Sequence, residues 1–130
     1  MRKGFTFLEL SIAIFIVGIL ATLGIARYSR VIEKGRAAEA RQVLASLRNA
    51  QIAYKQDYSV YTAVISDTGV NPPPSACAVS HYFSYTCDAV TGTCTADRCT
   101  ADGKTPNIAA ASVYNKTLTI AGVFGGTAGY

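Results

Sequence analysis

The sequence predicts an α+β protein in which one long N-terminal helix, transmembrane in its first half, packs by its second half against a small antiparallel β-sheet. Three observations carry this expectation. An apolar run, FTFLELSIAIFIVGILATLGIA, fills Phe5 to Ala26; an amphipathic period follows it to Tyr58; the remainder alternates like strands between turn signals and holds every cysteine. The organisation expected is a leader over 1–4, a transmembrane and assembly helix over 5–26, and an amphipathic helix continuing it over 27–58. A disulfide-containing, β-rich head over 59–130 packs on 27–58.

A hydrocarbon core of roughly 30 Å needs about 20 apolar residues in a helix, and Phe5 to Ala26 supplies them. The only ionisable side chain in it is Glu9. A carboxylate there costs about 2.5–3.5 kcal/mol on insertion scales, so it needs a partner or a reason. The basic start MRKG precedes the run directly, and no small-residue cleavage site follows it, since Ala21-Thr22-Leu23 has the wrong third residue. An uncleaved signal anchor is the plain reading of composition alone.

Downstream of the apolar run the composition turns to mixed charge, without proline until Pro72. Ala40, Val43, Leu44, Leu47, Ala50, Tyr54 and Tyr58 recur at steps of three and four and share one face; Glu39, Arg41, Arg48 and Lys55 are placed on the opposite one. One helix from about Phe5 to Tyr58 would be near 80 Å long at about 1.5 Å per residue. Arg27, Arg30, Glu33, Lys34 and Arg36 read as a solvated charged stripe, with contacts to neighbouring subunits or lipid head groups as the alternative.

Turn signals follow at Ser66-Asp67-Thr68-Gly69 and at Asn71-Pro72-Pro73-Pro74. His81 to Cys87 and Thr93 to Asp97 then form a β-hairpin across Asp88 to Gly92, and Lys116 to Phe124 is the best third strand, with Leu118, Ile120 and Val123 inward.

The four cysteines, Cys77, Cys87, Cys94 and Cys99, lie in this head. They predict two disulfides in an oxidising compartment; there is no C-x-x-C pair to favour a metal. The hairpin puts Phe83, Tyr85, Cys87, Cys94 and Ala96 on one face and Cys99 on the other, which argues against joining Cys87 to Cys99. Cys87–Cys94 with Cys77–Cys99, or Cys77–Cys87 with Cys94–Cys99, remain, and the first set is slightly preferred.

The formal charge of +4 falls to +2 without Arg2 and Lys3, too weak to name a nucleic acid or anionic lipid as partner. A positive-inside count, with Arg27, Arg30, Lys34 and Arg36 after the apolar run, would put the head in the cytoplasm. The cysteines put it outside, and they are followed here. No nucleophile elbow, phosphate loop or paired acid motif occurs, and the lone His81 reads as a surface residue at a strand end. No catalytic, cofactor-binding or metal-binding residue is therefore expected. The eight Tyr and five Phe read as core and interface rather than an electron-conducting ladder.

Gly4, Phe5, Thr6, Glu9 and the unbroken apolar run together resemble the class III signal of type IV pilins and their relatives, and Gly18 falls where that family usually has a glycine. The stretch AEARQVLASLRNAQIAYKQDYSVYT is similar to the amphipathic helix that continues it. At Ala26, where many pilins have a proline, the chain departs, which leaves the site of any helix unwinding on assembly open. The resemblance implies the type IV pilin fold, cleavage by a prepilin peptidase between Gly4 and Phe5 at the cytoplasmic face, and N-methylation of Phe5. The new ammonium at Phe5 and the Glu9 carboxylate of a neighbouring copy, each costly alone in lipid, become tolerable together. Their pairing would set the register of assembly.

On this reading the protein is a structural subunit, not an enzyme, lodged in the inner membrane as a precursor and then polymerised into an extracellular type IV pilus. Its expected partners are other copies in a helical filament, the membrane before assembly, the prepilin peptidase and the assembly machinery. Nucleic acid, adhesion and motility are downstream roles of such a filament. A pseudopilin of type II secretion and a minor pilin are the alternatives within the family. Against the pseudopilin, Asp88, Asp97 and Asp102 are isolated rather than clustered for calcium. A monomeric binding domain on an uncleaved anchor is the alternative outside it.

Overall fold

The computed structural model describes residues 4–71, 75–77, 80–100 and 114–128, and the backbone alone at 26, 29 and 30. The leader residues 1–3, the run 72–74 and Asp102 lie outside the described residues. The fold is α+β, as the sequence predicts: one long helix and a four-stranded antiparallel sheet.

Helix α1 runs from Phe7 to Tyr58, 52 residues without a break at Gly18, Gly24 or Ala26. It starts two residues later than the sequence suggested because Thr6 caps it. The Glu9 amide donates to Thr6 Oγ1 at 3.2 Å, and Glu9 Oε2 accepts from the Thr6 amide at 2.8 Å, so each residue satisfies an orphan group of the other. At the far end Ser59 turns left-handed, φ 63°, and its amide donates to the Lys55 carbonyl at 2.8 Å.

Phe7–Ile25, with mean hydropathy 2.4 and none of it buried, is long and apolar enough to cross a membrane. Its hydroxyls do not oppose that. Ser11 Oγ donates to the Phe7 carbonyl and Thr22 Oγ1 to the Ile19 carbonyl, so both are satisfied within the helix.

The second half of α1 buries a stripe through Glu33, Ala37, Ala40, Leu44, Leu47 and Gln51, at helical steps of three and four. Tyr58, expected on this face, is 64% exposed at the last position of the helix and stacks on Tyr54 at 4.5 Å.

The sheet is a meander in the order β1-β2-β3-β4, with β1 Phe83–Cys87, β2 Cys94–Arg98, β3 Asn115–Leu118 and β4 Phe124–Gly126. Alternate residues, Phe83, Tyr85 and Cys87 on β1, Cys94 and Ala96 on β2 and Leu118 on β3, close the core over α1. The β1–β2 turn is held by Asp88, whose carboxylate accepts from the Val90 and Thr91 amides and the Thr91 hydroxyl. Gly92 ends it with φ +69°, where a Cβ would also lie 2.7 Å from Ile120 and 2.8 Å from Tyr61.

The single strand expected over Lys116 to Phe124 is instead two strands and a reversal. The Thr119 amide bonds the Val123 carbonyl at 3.1 Å, the Gly122 amide bonds the Thr119 carbonyl at 2.9 Å, and Gly122 takes φ +86°. The reversal carries Val123 outward, 62% exposed, contrary to its expected inward place, and leaves Ile120 half-buried in the turn.

Candidate functional site: the helix start and the ionic latch under the head

Gly4 and Phe5 precede the first helical turn, and both are exposed. Glu9 lies in that turn, also exposed, with Oε2 receiving hydrogen bonds from the Thr6 amide at 2.8 Å and the Thr6 hydroxyl at 2.9 Å. The structure therefore brings Glu9 to its own Thr6, next in sequence to Phe5. A carboxylate so placed at a helix N-terminus also meets the positive end of the backbone dipole.

The cysteines pair as Cys77–Cys99 and Cys87–Cys94. Cys87 and Cys94 are direct partners across β1 and β2, with Cα atoms 4.1 Å apart. Cys99 leaves the end of β2, its amide bonded to the Tyr82 carbonyl at 2.8 Å, and reaches Cys77 beyond the strand.

A second cluster lies where α1 enters the head, and sequence reading missed it. Glu33, taken for part of a solvated stripe, is 1% exposed. Arg98, at the end of β2 on the core face, meets it with two parallel contacts, Nη2 to Oε1 at 3.1 Å and Nε to Oε2 at 3.2 Å. The Tyr114 hydroxyl donates to Oε2 at 2.9 Å, and Arg36 pairs with Oε1 from the next turn. Burial alone would raise the Glu33 carboxyl, but the hydrogen bonds from Arg98, Tyr114 and Arg36 outweigh it and hold it below its ordinary value. Burial and the neighbouring carboxylate push the Tyr114 hydroxyl up, so it stays protonated and donating.

Arg98 Nη1 also donates to the Cys99 and Tyr82 carbonyls, and the Arg36 guanidinium lies over the Tyr82 ring at 4.2 Å. The latch thus joins α1, β2, the residue before β3 and the Cys77–Cys99 bridge. The one available signal was spacing, since Glu33 continues the stripe of Ala37, Ala40 and Leu44 one turn toward the apolar segment.

His81, expected at the surface, is only 9% exposed. Its Nε2 lies 2.8 Å from the Ala76 carbonyl and Nδ1 3.2 Å from Ser80 Oγ, under the segment that Cys77 ties down. Arg48 is not on the face opposite the core either: its Nε donates to the Ile120 carbonyl at 2.8 Å in the β3–β4 turn. A groove between the 3₁₀ turn Ile65–Thr68 and β1, lined by Val64, Ile65, Val70, Tyr85 and Cys87 among others, brings no carboxylate, imidazole or amine together among the described residues.

The helix, sheet and bridges thus define an α+β head carried on an apolar, membrane-compatible helix. Comparison with known families places the prokaryotic N-terminal methylation motif over residues 1–25, so the chain carries the class III signal of type IV pilin-like proteins. That motif supports a pilin-like or pseudopilin precursor, anchored in a membrane and of a kind known as structural proteins rather than enzymes. Neither curated proteins nor solved structures gave a match to the chain.

Proposed function

We propose that the protein is the subunit of an extracellular helical filament of the type IV pilus kind, released for assembly by cleavage between Gly4 and Phe5 and N-methylation of Phe5. The observation that carries this is the methylation motif running without interruption into a 52-residue helix whose first part is predominantly apolar and nowhere buried. Such a surface needs lipid before assembly and other helices after it. Hydrophobic transfer changes little between those two environments, so helix packing and the register of charged groups must supply the preference for the filament.

The register group is Glu9. In the free subunit its carboxylate is held by Thr6; in the filament it also receives the Phe5 ammonium of a neighbouring copy. The prepilin peptidase and an assembly machinery act on the precursor, and the disulfide-bridged head faces the oxidising side.

Mass spectrometry of sheared surface fibres tests this directly. The expected subunit begins at methylated Phe5 and carries two disulfides. Glu9→Ala is expected to leave cleavage largely intact while fibre incorporation is lost. An intact leader within fibres, or abundant normal fibres from Glu9→Ala, would refute the reading. A subunit processed normally but found only in short periplasmic assemblies would assign it to the pseudopilins.

A further inference from the structure

Seven residues advance an α-helix by nearly two turns, so a row at that step drifts by about 20° from one member to the next and by about 80° over four steps. In α1 beyond the apolar segment, that step falls on Arg27, Lys34, Arg41, Arg48 and Lys55. The row places one cation every 10.5 Å or so along roughly 42 Å of helix. Arg48 is half-buried and the other four are exposed.

The row lies on the flank of α1 next to β3 and β4. Arg48 bonds the turn between those strands, as described, and Arg41 lies near enough to Lys116 of β3 for its like charge to act on that buried ammonium. The acids take the other flank. Glu39 and Asp57, about five turns apart, share an azimuth on the β1 side, and the charge of Glu39 is felt at Tyr85 of β1. Exposed Asp67 in the 3₁₀ turn, which neighbours β1 across the groove, and Asp88 in the β1–β2 turn extend that acidic side. Glu33, on the packed face between the flanks, is neutralised internally by Arg98, and Arg36, half-buried against the same carboxylate and over the Tyr82 ring, sets one cation beside Glu39 on the β1 side.

We propose that these flanks are the two halves of one lateral interface between copies of this chain, the basic row of one subunit lying along the acidic flank of the next. A second copy fits better than lipid. A row this long stands well above a membrane crossed by the same helix, so head groups could meet only its lowest member or two, whereas copies anchored in one membrane are held parallel with their flanks at the same height. The contact joins different surfaces on the two partners and leaves each partner's other flank open, so it propagates instead of closing into a dimer. Opposed rows would steer approach and reject a copy of the wrong orientation, more than they would add affinity. The inference deepens the filament reading and rests on it for the occupant.

The test uses the full chain in its own membrane. Arg41→Cys and Glu39→Cys are placed on separately tagged copies and treated with a short bismaleimide; the cysteines of the described head are all in disulfides and do not compete. The mixed pair is expected to cross-link several-fold more than either self-pair. In a second arm, Lys34→Glu with Arg41→Glu is expected to abolish co-purification of tagged copies, and adding Glu39→Lys with Asp57→Lys to restore it.

Equal self and mixed cross-linking, or no restoration in the combined variant while its head still melts cooperatively, overturns the proposal. Fibres that form without the mixed preference sink the flank contact and leave the filament reading standing. A mixed preference in the membrane with no sheared fibre does the reverse. Binding of duplex DNA that depends on Lys34 and Arg41, without any mixed preference, would overturn the proposal in favour of a nucleic-acid partner.

Discussion

Glu33 carries the largest consequence of any single side chain. A carboxylate buried with Arg98, Tyr114 and Arg36 is weak evidence for net stability against an apolar replacement, but removing one partner leaves a buried guanidinium uncompensated. Glu33→Gln is expected to destabilise the head by about 3–5 kcal/mol, read by chemical denaturation of the detergent-solubilised subunit. The pH dependence follows from the lowered carboxyl value. Because the folded value lies below the ordinary 4.5, the contribution is fully present above that value and is lost as pH falls through the folded one. Wild type should therefore lose stability on acidification in that window, and Glu33→Gln should lose less over the same range. A variant with unchanged stability and unchanged acid slope would show the latch to be incidental. The residue was not legible from its neighbours in sequence, four of which are cationic and suggest a solvated stripe; only its phase in the buried stripe distinguished it. His81 was misread for a similar reason, since the segment that covers it is brought there by a bridge between residues distant in sequence.

Among the elements, the long helix was the most legible and the last strand the least. The periodicity of Ala40, Leu44 and Leu47 needs no tertiary information, because it is a property of one helix against any flat partner. The segment Lys116 to Phe124 contains both a strand pattern and a turn signal, and the turn prevails where β4 pairs back onto β3. The two bridges should differ in their contributions. Cys77–Cys99 spans 22 residues and Cys87–Cys94 only 7, so chain entropy assigns the first about 3 kcal/mol and the second about 2. Paired Cys→Ser variants are expected to follow that order in denaturation midpoint. The 77–99 variant should also lose exchange protection at the Cys99 amide, whose bond to Tyr82 closes the same corner. The reverse order would mean that local strand geometry, not loop closure, sets what each bridge contributes.

At the largest scale, α1 divides into an exposed apolar part and a part packed under the head. Among the described residues the core cluster draws on positions from Ala37 to Leu118, and the ionic latch adds Glu33. A chain comprising 27–130 is accordingly expected to be soluble and folded, with native-like near-UV dichroism and both bridges formed; aggregation or a non-cooperative melt would show that the apolar part stabilises the head after all. The apolar helix, its amphipathic continuation, the hairpin of β1 and β2 and the methylation motif could all be read from the residues in order, because each depends on the identity and period of near neighbours. The burial of Glu33, the bond of Arg48 to the β3–β4 turn and the folding back of the last strand as a pair came instead from packing between distant segments. Those outcomes depend on which distant segment fills the space beside a residue, and a linear pattern of polar and apolar side chains does not encode that neighbour.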